Sequence, residues 1–317
     1  MKKIILIPLL FCTLVTYSKI RLLTFHYNRP ELIEIQHQTF EKFLKEKDDY
    51  ELIVFNDAVN ENIKKEIRET CNRLGIQCVD FPQHLHDEWP LSRQMCTGVD
   101  KKFPWLNNKN GSVRHCHVAR YALENFGINH DDIVGVIDGD MFLIRPCSIR
   151  EIMDTYDIIG SRQTDYYQKG YEYAWLALCF FKPYNLPNKH DFHFDLVLHR
   201  YNMDPQNGWG TWYLHLDSGA QTYFYLKNNP LVKYKLFKKT PIHDFTKKGN
   251  SELEPLHFNK AEITFLENMK DYRGGEFVCT EFHLNNNFLH MSASSETDPL
   301  SKTNGPFTSF FKEILKD

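Results

Sequence analysis

"VIDGDMFLIRP", residues 136–146, places two carboxylates, Asp138 and Asp140, at the end of a strongly apolar run. A charge at the end of a buried strand needs a positive partner or solvent, because burying an unpaired charge is costly. Two carboxylates at positions i and i+2 can both face one ion, and Gly139 between them allows a sharp backbone turn. Oxygen ligands of this kind suit Mg²⁺ or Mn²⁺. A solvated Asp-Gly turn is the alternative.

Strands and helices alternate in the sequence that leads to this stretch. Apolar runs rich in β-forming residues predict strands at residues 20–26, 50–55, 76–81 and 132–138. Helical periodicity predicts helices at residues 28–47, with Asn28 as cap, at about 60–74, with Gly75 as the stop, and at 112–126. Successive βα units of this kind predict a parallel, doubly wound sheet.

Polar side chains follow three of the predicted strands, where each strand ends. His26, Asp57 and Asp138 occupy these positions. Because ligands of open α/β sheets bind beyond the carboxyl ends of the strands, we expect a binding site at this edge. Later in the chain, the sequence predicts a helix that begins near Asp217. Asp217 could cap this helix, or its carboxylate could take part in the chemistry of the site.

The composition excludes one class of function. The 317 residues include 38 Lys and Arg against 41 Asp and Glu, for a net charge of -3. This balance argues against a nucleic-acid-binding protein, because such proteins neutralise phosphates with an excess of basic residues. The hydrophobic share of 42% is sufficient for a sizeable core.

The order of short motifs resembles that of nucleotide-sugar glycosyltransferases with the GT-A fold, over roughly residues 19–292. The matching stretches are "LLTFHYNRPEL" at 22–32, "LIVFNDA" at 52–58, "VIDGDMFLIRP" at 136–146, "LDSGAQTYFYL" at 216–226 and "FLHMSA" at 288–293. The resemblance implies a single α/β domain of the GT-A fold, Rossmann-like, with a mixed, mostly parallel sheet flanked by helices.

The resemblance also implies a role for individual residues. Asp138, Asp140 and His290 would bind Mn²⁺ or Mg²⁺, and Asp138 could instead contact the ribose or sugar of the donor. The base and ribose of the nucleotide, most often uridine in this family, would contact Thr24, His26, Tyr27 and Asp57. Arg114 could reach the diphosphate or the nucleotide. Asp217 would act beside the sugar or the acceptor, as general base if the enzyme inverts the anomeric centre.

The implied function is metal-dependent transfer of a sugar from a nucleotide-sugar donor, UDP-linked in most relatives, to a carbohydrate or glycoconjugate acceptor. The stretch "AWLALCFF" lacks the Asn-x-Gly found in retaining relatives, which leaves the stereochemistry open. A non-catalytic carbohydrate-binding protein that keeps the fold is the alternative. A D-x-D phosphohydrolase is disfavoured, because Phe142 stands where that class carries Thr or Val. No glycine-rich loop follows the first strand, which disfavours a nicotinamide dehydrogenase.

Residues 1–18 combine two lysines, a short apolar run and small residues at its end. This pattern is typical of a secretory signal, and the run is too short for an ordinary membrane span. We therefore expect residues 1–18 to be a signal peptide or short anchor, residues 19–300 the glycosyltransferase domain, and residues 301–317 a C-terminal helix and tail. The secretory pathway or peripheral association with a membrane would follow. A core strand in a cytosolic protein is the alternative.

Overall fold

The structure, a computed structural model, describes residues 18–90, 109–164, 170–202, 211–241, 258–271, 280–291 and 306–316. The expected signal or anchor lies outside these ranges, apart from residue 18, and stays a prediction. None of the helices in the described ranges is long and apolar enough to cross a membrane.

The N-terminal half forms the parallel part of the main sheet. Its strands are β1 (Ile20–His26), β2 (Tyr50–Asn56), β3 (Gln77–Asp80) and β4 (Val134–Asp138). The helices between them are α1 (Pro30–Phe43), α2 (Glu61–Leu74), the short α3 (Leu85–Glu88) and α4 (Gly111–Ala122). Strand β1 lies between β2 and β4 and is parallel to both, so the strand ends that carry the predicted site share one edge.

Later strands complete the main sheet. They are β6 (Ile158–Thr164), β7 (Glu172–Phe181) and β10 (Tyr234–Phe237), in the overall order β10-β6-β7-β4-β1-β2-β3. Only β7 runs against its neighbours β4 and β6, while β10 is parallel to β6. The sheet is therefore mixed and mostly parallel, and with its flanking helices it confirms the predicted single-domain fold class.

A second, four-stranded sheet meets the main sheet at the aspartates. It contains β5 (Met141–Leu143), β11 (Thr240–Pro241), β12 (Thr280–His283) and β13 (Phe288–Met291), in the order β11-β12-β13-β5. Strand β4 ends at Asp138 and β5 begins at Met141, so the D-x-D turn joins the two sheets. A separate hairpin pairs β8 (Val197–Asn202) with β9 (Thr211–Leu216).

The remaining α-helices of the described ranges are α5 (Ile149–Met153), α6 (Gln221–Asn228), α7 (Lys260–Asp271) and α8 (Pro306–Ile314). Helix α8 belongs to the core rather than to a loose tail, since Phe311 packs against Phe142 of β5 with ring centroids 4.7 Å apart. This contact adds a layer behind the second sheet.

Helix ends agree with the sequence in part. Helix α2 begins after Asn60, which is its N-cap, and ends at Gly75, with a φ of 69°. Both ends agree with the predicted range of about 60–74 and the predicted stop at Gly75. Helix α1 differs: its cap residue is Arg29, without a side-chain cap, so the prediction that Asn28 caps it was wrong. Pro30 starts this helix, and its ring already fixes the backbone for helix entry.

The central strands are buried on both faces, as expected of a parallel sheet between helices. Along β1, Leu23 and Phe25 join the core on the face that α4 covers. Ile20 and Leu22 join the core on the opposite face, which includes Ile33 of α1. Side chains alternate along a strand, so Thr24 and His26 also belong to this second face.

Candidate active site

Gly139 allows the end of β1 to approach the D-x-D turn closely. A Cβ atom added to Gly139 would lie 2.3 Å from the carbonyl oxygen of Phe25 and 3.0 Å from the imidazole of His26. Its φ is not among the positive values of the described glycines, so a left-handed turn is not the reason for glycine here. The sequence analysis expected glycine here because of a sharp turn. The structure instead requires glycine because a side chain at position 139 would collide with the end of β1.

Three hydrogen bonds fix the backbone around the two aspartates. The side-chain amide of Gln36, on α1, donates to the carbonyl oxygens of Asp138 at 3.0 Å and Met141 at 2.9 Å. The backbone N–H of Met291, on β13, donates to the carbonyl oxygen of Asp140 at 2.9 Å. The turn is thus held from a helix on one side and from the second sheet on the other.

His290 reaches the aspartates because β13 pairs antiparallel with β5, which places His290 opposite Met141. Its Nε2 atom lies 3.1 Å from Asp140 Oδ1 and 3.9 Å from Asp138 Oδ2. One potential ligand atom from each of the three side chains lies within 4.8 Å of the other two. Two carboxylates and one imidazole form a ligand set that fits Mn²⁺ or Mg²⁺.

The charged groups of this cluster shift one another's pKa values. Burial and the neighbouring Asp140 raise the pKa of Asp138, although His115 and His290 act against this shift. Burial acts to lower the pKa of His290, but its contacts with Asp140 and the charge of Asp138 raise it above its ordinary value. Two carboxylates in a buried site repel each other, and a divalent cation would relieve that repulsion.

A cavity of about 500 Å³ opens at this edge of the sheet. It brings together eight of the nine residues predicted for the site: His26, Tyr27, Asp57, Arg114, Asp138, Asp140, Asp217 and His290. The ninth, Thr24, is completely buried and does not line the cavity. Its hydroxyl lies 3.3 Å from His26 Nε2, within hydrogen-bonding distance, so Thr24 helps to orient the imidazole of His26. Burial lowers the pKa of His26 to about 4, which keeps this imidazole neutral.

The ion pair between Arg114 and Asp57 lines the cavity next to the aromatic ring of Tyr27. The guanidinium of Arg114 donates to Asp57 Oδ2 at 2.9 Å, and its central carbon lies 5.4 Å from the centroid of the Tyr27 ring. Asp57 Oδ1 accepts from Gln83 at 2.7 Å and lies 2.8 Å from His86 Nε2. Both oxygens of Asp57 are thus engaged within the chain, and the carboxylate fixes the guanidinium. Tyr27 is 47% exposed and presents its ring to the opening.

Asp217 lines the cavity without capping a helix. Helix α6 begins at Gln221, four residues later than the sequence predicts, and its cap residue is Ala220. The carboxylate of Asp217 instead accepts a hydrogen bond from the backbone N–H of Ser218 at 2.7 Å. The alternative that Asp217 is a helix cap was therefore wrong, and the side chain remains available to the cavity.

Several cavity residues were missed by the sequence reasoning. His115 follows Arg114 on α4, and its Nε2 atom lies 3.8 Å from Asp138 Oδ1. Trp175, on β7, packs against His290 with ring centroids 5.0 Å apart. Two basic side chains, Arg29 and Lys109, also line the cavity. One of fifteen histidines carries no local signal for this role, and the tryptophan lies in a strand that reads as ordinary core.

No protein-family model and no curated protein matches the chain. Among solved structures, a mannosyltransferase from Pyrobaculum calidifontis in complex with GDP-mannose and Mn²⁺ aligns at a TM-score of 0.39 and 13% identity, over 82% of this chain and 66% of its own. The bifunctional glycosyltransferase WbbM aligns at a TM-score of 0.36 and 11% identity, over 56% of this chain and 34% of its own.

A core-mannan synthase from Aspergillus fumigatus, in an Mn/GDP form, aligns at a TM-score of 0.32 and 12% identity, over 47% of this chain and 44% of its own. The chain thus spans about a third of WbbM and under half of the mannan synthase. The first two structures are named as transferases of sugars and the third as a synthase of mannan. At these TM-scores the likeness carries no conclusion about what this chain binds or does.

Proposed function

We propose that this chain is a divalent-metal-dependent glycosyltransferase of the GT-A type. It moves a sugar from a nucleotide-sugar donor, UDP-linked by preference, to a carbohydrate or glycoconjugate acceptor. The observation that carries the proposal is the convergence of Asp138, Asp140 and His290, from distant parts of the sequence, in one cavity of about 500 Å³. That volume lies within the range of small-molecule sites.

The residues of the cavity divide between the parts of such a donor. The base stacks on the exposed ring of Tyr27, beside the guanidinium that Asp57 holds in place. The metal, Mn²⁺ or Mg²⁺, is held by Asp138, Asp140 and His290, and when bound it offsets the negative charge that develops on the leaving diphosphate.

Basic side chains and a neutral imidazole complete the donor side. Lys109 and Arg29, the latter paired with Glu31, line the same cavity and offer the diphosphate basic side chains. His26 is neutral because burial lowers its pKa to about 4, so it offers the donor a hydrogen-bonding group without a charge.

Asp217 serves the acceptor side. Its carboxylate lines the cavity and caps no helix, which leaves it available to take a proton from an acceptor hydroxyl. In an inverting reaction this proton transfer makes Asp217 the general base. In a retaining reaction its carboxylate would instead orient the acceptor through hydrogen bonds.

The test is a screen of sugar nucleotides for hydrolysis, followed by calorimetry with the matching nucleoside diphosphate in Mn²⁺ and in EDTA. We expect hydrolysis and nucleotide binding to need the metal, and Asp140→Ala to abolish both. Asp154→Ala, which removes an exposed carboxylate at the end of α5, is the matched control and should behave as wild type. Equal nucleotide affinity with and without EDTA would overturn the metal role.

A further inference from the structure

A second group of polar side chains lies directly behind His290. Glu281 on β12 is the cross-strand partner of His290 on β13, in an antiparallel pair. Directly opposed residues in such a pair have Cβ atoms about 4.5–5.5 Å apart. His283 follows Glu281 by two residues and therefore emerges on the same face of the strand. All three side chains are buried, with exposures of 8% for Glu281, 0% for His283 and 2% for His290.

The contacts of this group leave one polar atom of each side chain without a hydrogen bond. Glu281 Oε1 lies 3.1 Å from the ammonium of Lys239, and His283 Nδ1 lies 2.6 Å from the hydroxyl of Ser161. The other atoms, Glu281 Oε2, His283 Nε2 and His290 Nδ1, are buried and have no hydrogen-bond partner among the described residues. Glu281 Oε2 lies 3.7 Å from His283 Nε2.

An imidazole that ligates a metal through Nε2 carries its proton on Nδ1. A buried N–H without an acceptor costs free energy, so metal-bound histidines usually donate this proton to a carboxylate or a carbonyl. For His290, whose Nε2 faces Asp138 and Asp140, the carboxylate directly across the strand pair is that of Glu281.

The same three side chains fit a second metal site less well. They offer one potential ligand atom each within 4.8 Å of one another. However, the ammonium of Lys239 already balances the charge of Glu281, so a second divalent ion would bring an excess of positive charge into a buried site. It would also compete for His290 with the aspartates of the D-x-D turn.

We propose that Glu281 is a positioning residue: when a metal is bound to Nε2 of His290, Oε2 of Glu281 turns from His283 to accept the Nδ1 proton of His290 and so holds Nε2 towards Asp138 and Asp140. Lys239 fixes one oxygen of the carboxylate, which leaves the other oxygen for the imidazole. The inference rests on the proposed function, because the orientation of His290 matters only if His290 binds the metal.

The test compares the wild type with Glu281→Gln and Lys239→Met by calorimetric titration of metal-free protein with Mn²⁺ and with Mg²⁺. We expect one Mn²⁺ per chain, and Mn²⁺ affinity about 10–100-fold lower in Glu281→Gln. Mg²⁺ affinity should fall less, because Mg²⁺ depends more on oxygen ligands. Lys239→Met keeps the carboxylate that accepts the Nδ1 proton, so it should lower Mn²⁺ affinity less than Glu281→Gln does. The control Glu172→Gln, which breaks an exposed ion pair with Arg162, should match the wild type.

Thermal unfolding of each variant in EDTA shows whether the substitution lowers the stability of the fold. Lower stability alone would not change the ratio of Mn²⁺ affinity to Mg²⁺ affinity, so a change in this ratio reports the orientation of His290. Wild-type Mn²⁺ affinity in Glu281→Gln would overturn the inference and leave the proposed function intact. Equal losses in Glu281→Gln and Lys239→Met would show that the ion pair is structural, which also overturns it. Two Mn²⁺ per chain, the second lost in His283→Ala, would make Glu281 a ligand. A wild type that binds no Mn²⁺ would instead refute the metal site of the proposed function.

Discussion

Replacing Gly139 with alanine tests whether the spacing between β1 and the D-x-D turn controls metal binding. The added methyl group would lie 2.3 Å from the carbonyl oxygen of Phe25, which is backbone and cannot rotate away. Ordinary contact begins at 3.4 Å, so the two segments must separate by about 1.1 Å. Asp138 and Asp140 flank this residue and must move with it.

The expected magnitude follows from this displacement. Overpacking of a tight site typically costs about 1–3 kcal/mol of stability. A displacement of about 1 Å at a reacting centre can lower the rate by about 10²-fold. We therefore expect Gly139→Ala to lower both the affinity for Mn²⁺ and the rate of donor hydrolysis, the rate by about two orders of magnitude.

Gly135→Ala is the matched control. Its methyl group would meet the side chains of Phe180 at 2.7 Å and Leu22 at 2.9 Å, within the core and away from the aspartates. Urea unfolding should show a loss of stability for both variants, while calorimetry with Mn²⁺ should show a loss of affinity for Gly139→Ala only. If Gly139→Ala binds Mn²⁺ like the wild type, the spacing argument is wrong. If Gly135→Ala weakens Mn²⁺ binding equally, the effect is one of stability and not of the turn.

Three further predictions concern the donor, the acceptor and acid stability. Asp217→Asn should lower transfer by about 10²–10⁴-fold while Mn²⁺ and nucleotide affinities persist in calorimetry; a wild-type transfer rate would refute a role as base. Tyr27→Ala should weaken binding of the nucleoside diphosphate by about 1–3 kcal/mol, the usual value of one base on an aromatic ring. Tyr184→Ala, which removes another exposed ring, should not change this affinity. Burial lowers the pKa of His117 from 6.5 to about 4, so the unfolded chain binds more protons in this range and the free energy of unfolding falls as the pH drops through it. Urea titrations should show a shallower fall for His117→Phe, and an unchanged slope would contradict the assignment.

Local sequence patterns predicted which helices and strands form better than they predicted the residues at which each one begins and ends. The limits of α2 followed from Asn60 and Gly75, because a cap and a left-handed C-terminal residue act within a few positions of the chain. The start of α6 was misplaced by four residues, since Asp217 has the residue type of a cap but makes its hydrogen bond to Ser218 instead. Local chemistry allowed both arrangements, and packing decided between them.

The same division holds for the site. Asp138 and Asp140 could be identified as candidates because they are close in sequence and follow a buried strand. The pairing of Asp57 with Arg114 could not, since it joins two segments that meet only when α4 packs against the sheet. Sequence reasoning assigned Asp57 to the base of the nucleotide, whereas the structure uses both of its oxygens to hold neighbouring side chains.

The sequence by itself determined the alternation of strands and helices, the parallel half of the sheet and the position of the two carboxylates at a strand end, because each depends on periodicity and residue type over short distances. The resemblance to a family named His290, but only the tertiary structure shows how this histidine reaches the aspartates and which carboxylate lies behind it. Both depend on the register of β13 between β5 and β12, where His290 stands opposite Met141 on one side and Glu281 on the other. A shift of one residue in that register would turn the imidazole to the opposite face of the sheet. The register is set by long-range strand pairing and by the buried layer of α7 and α8, which no short stretch of sequence contains.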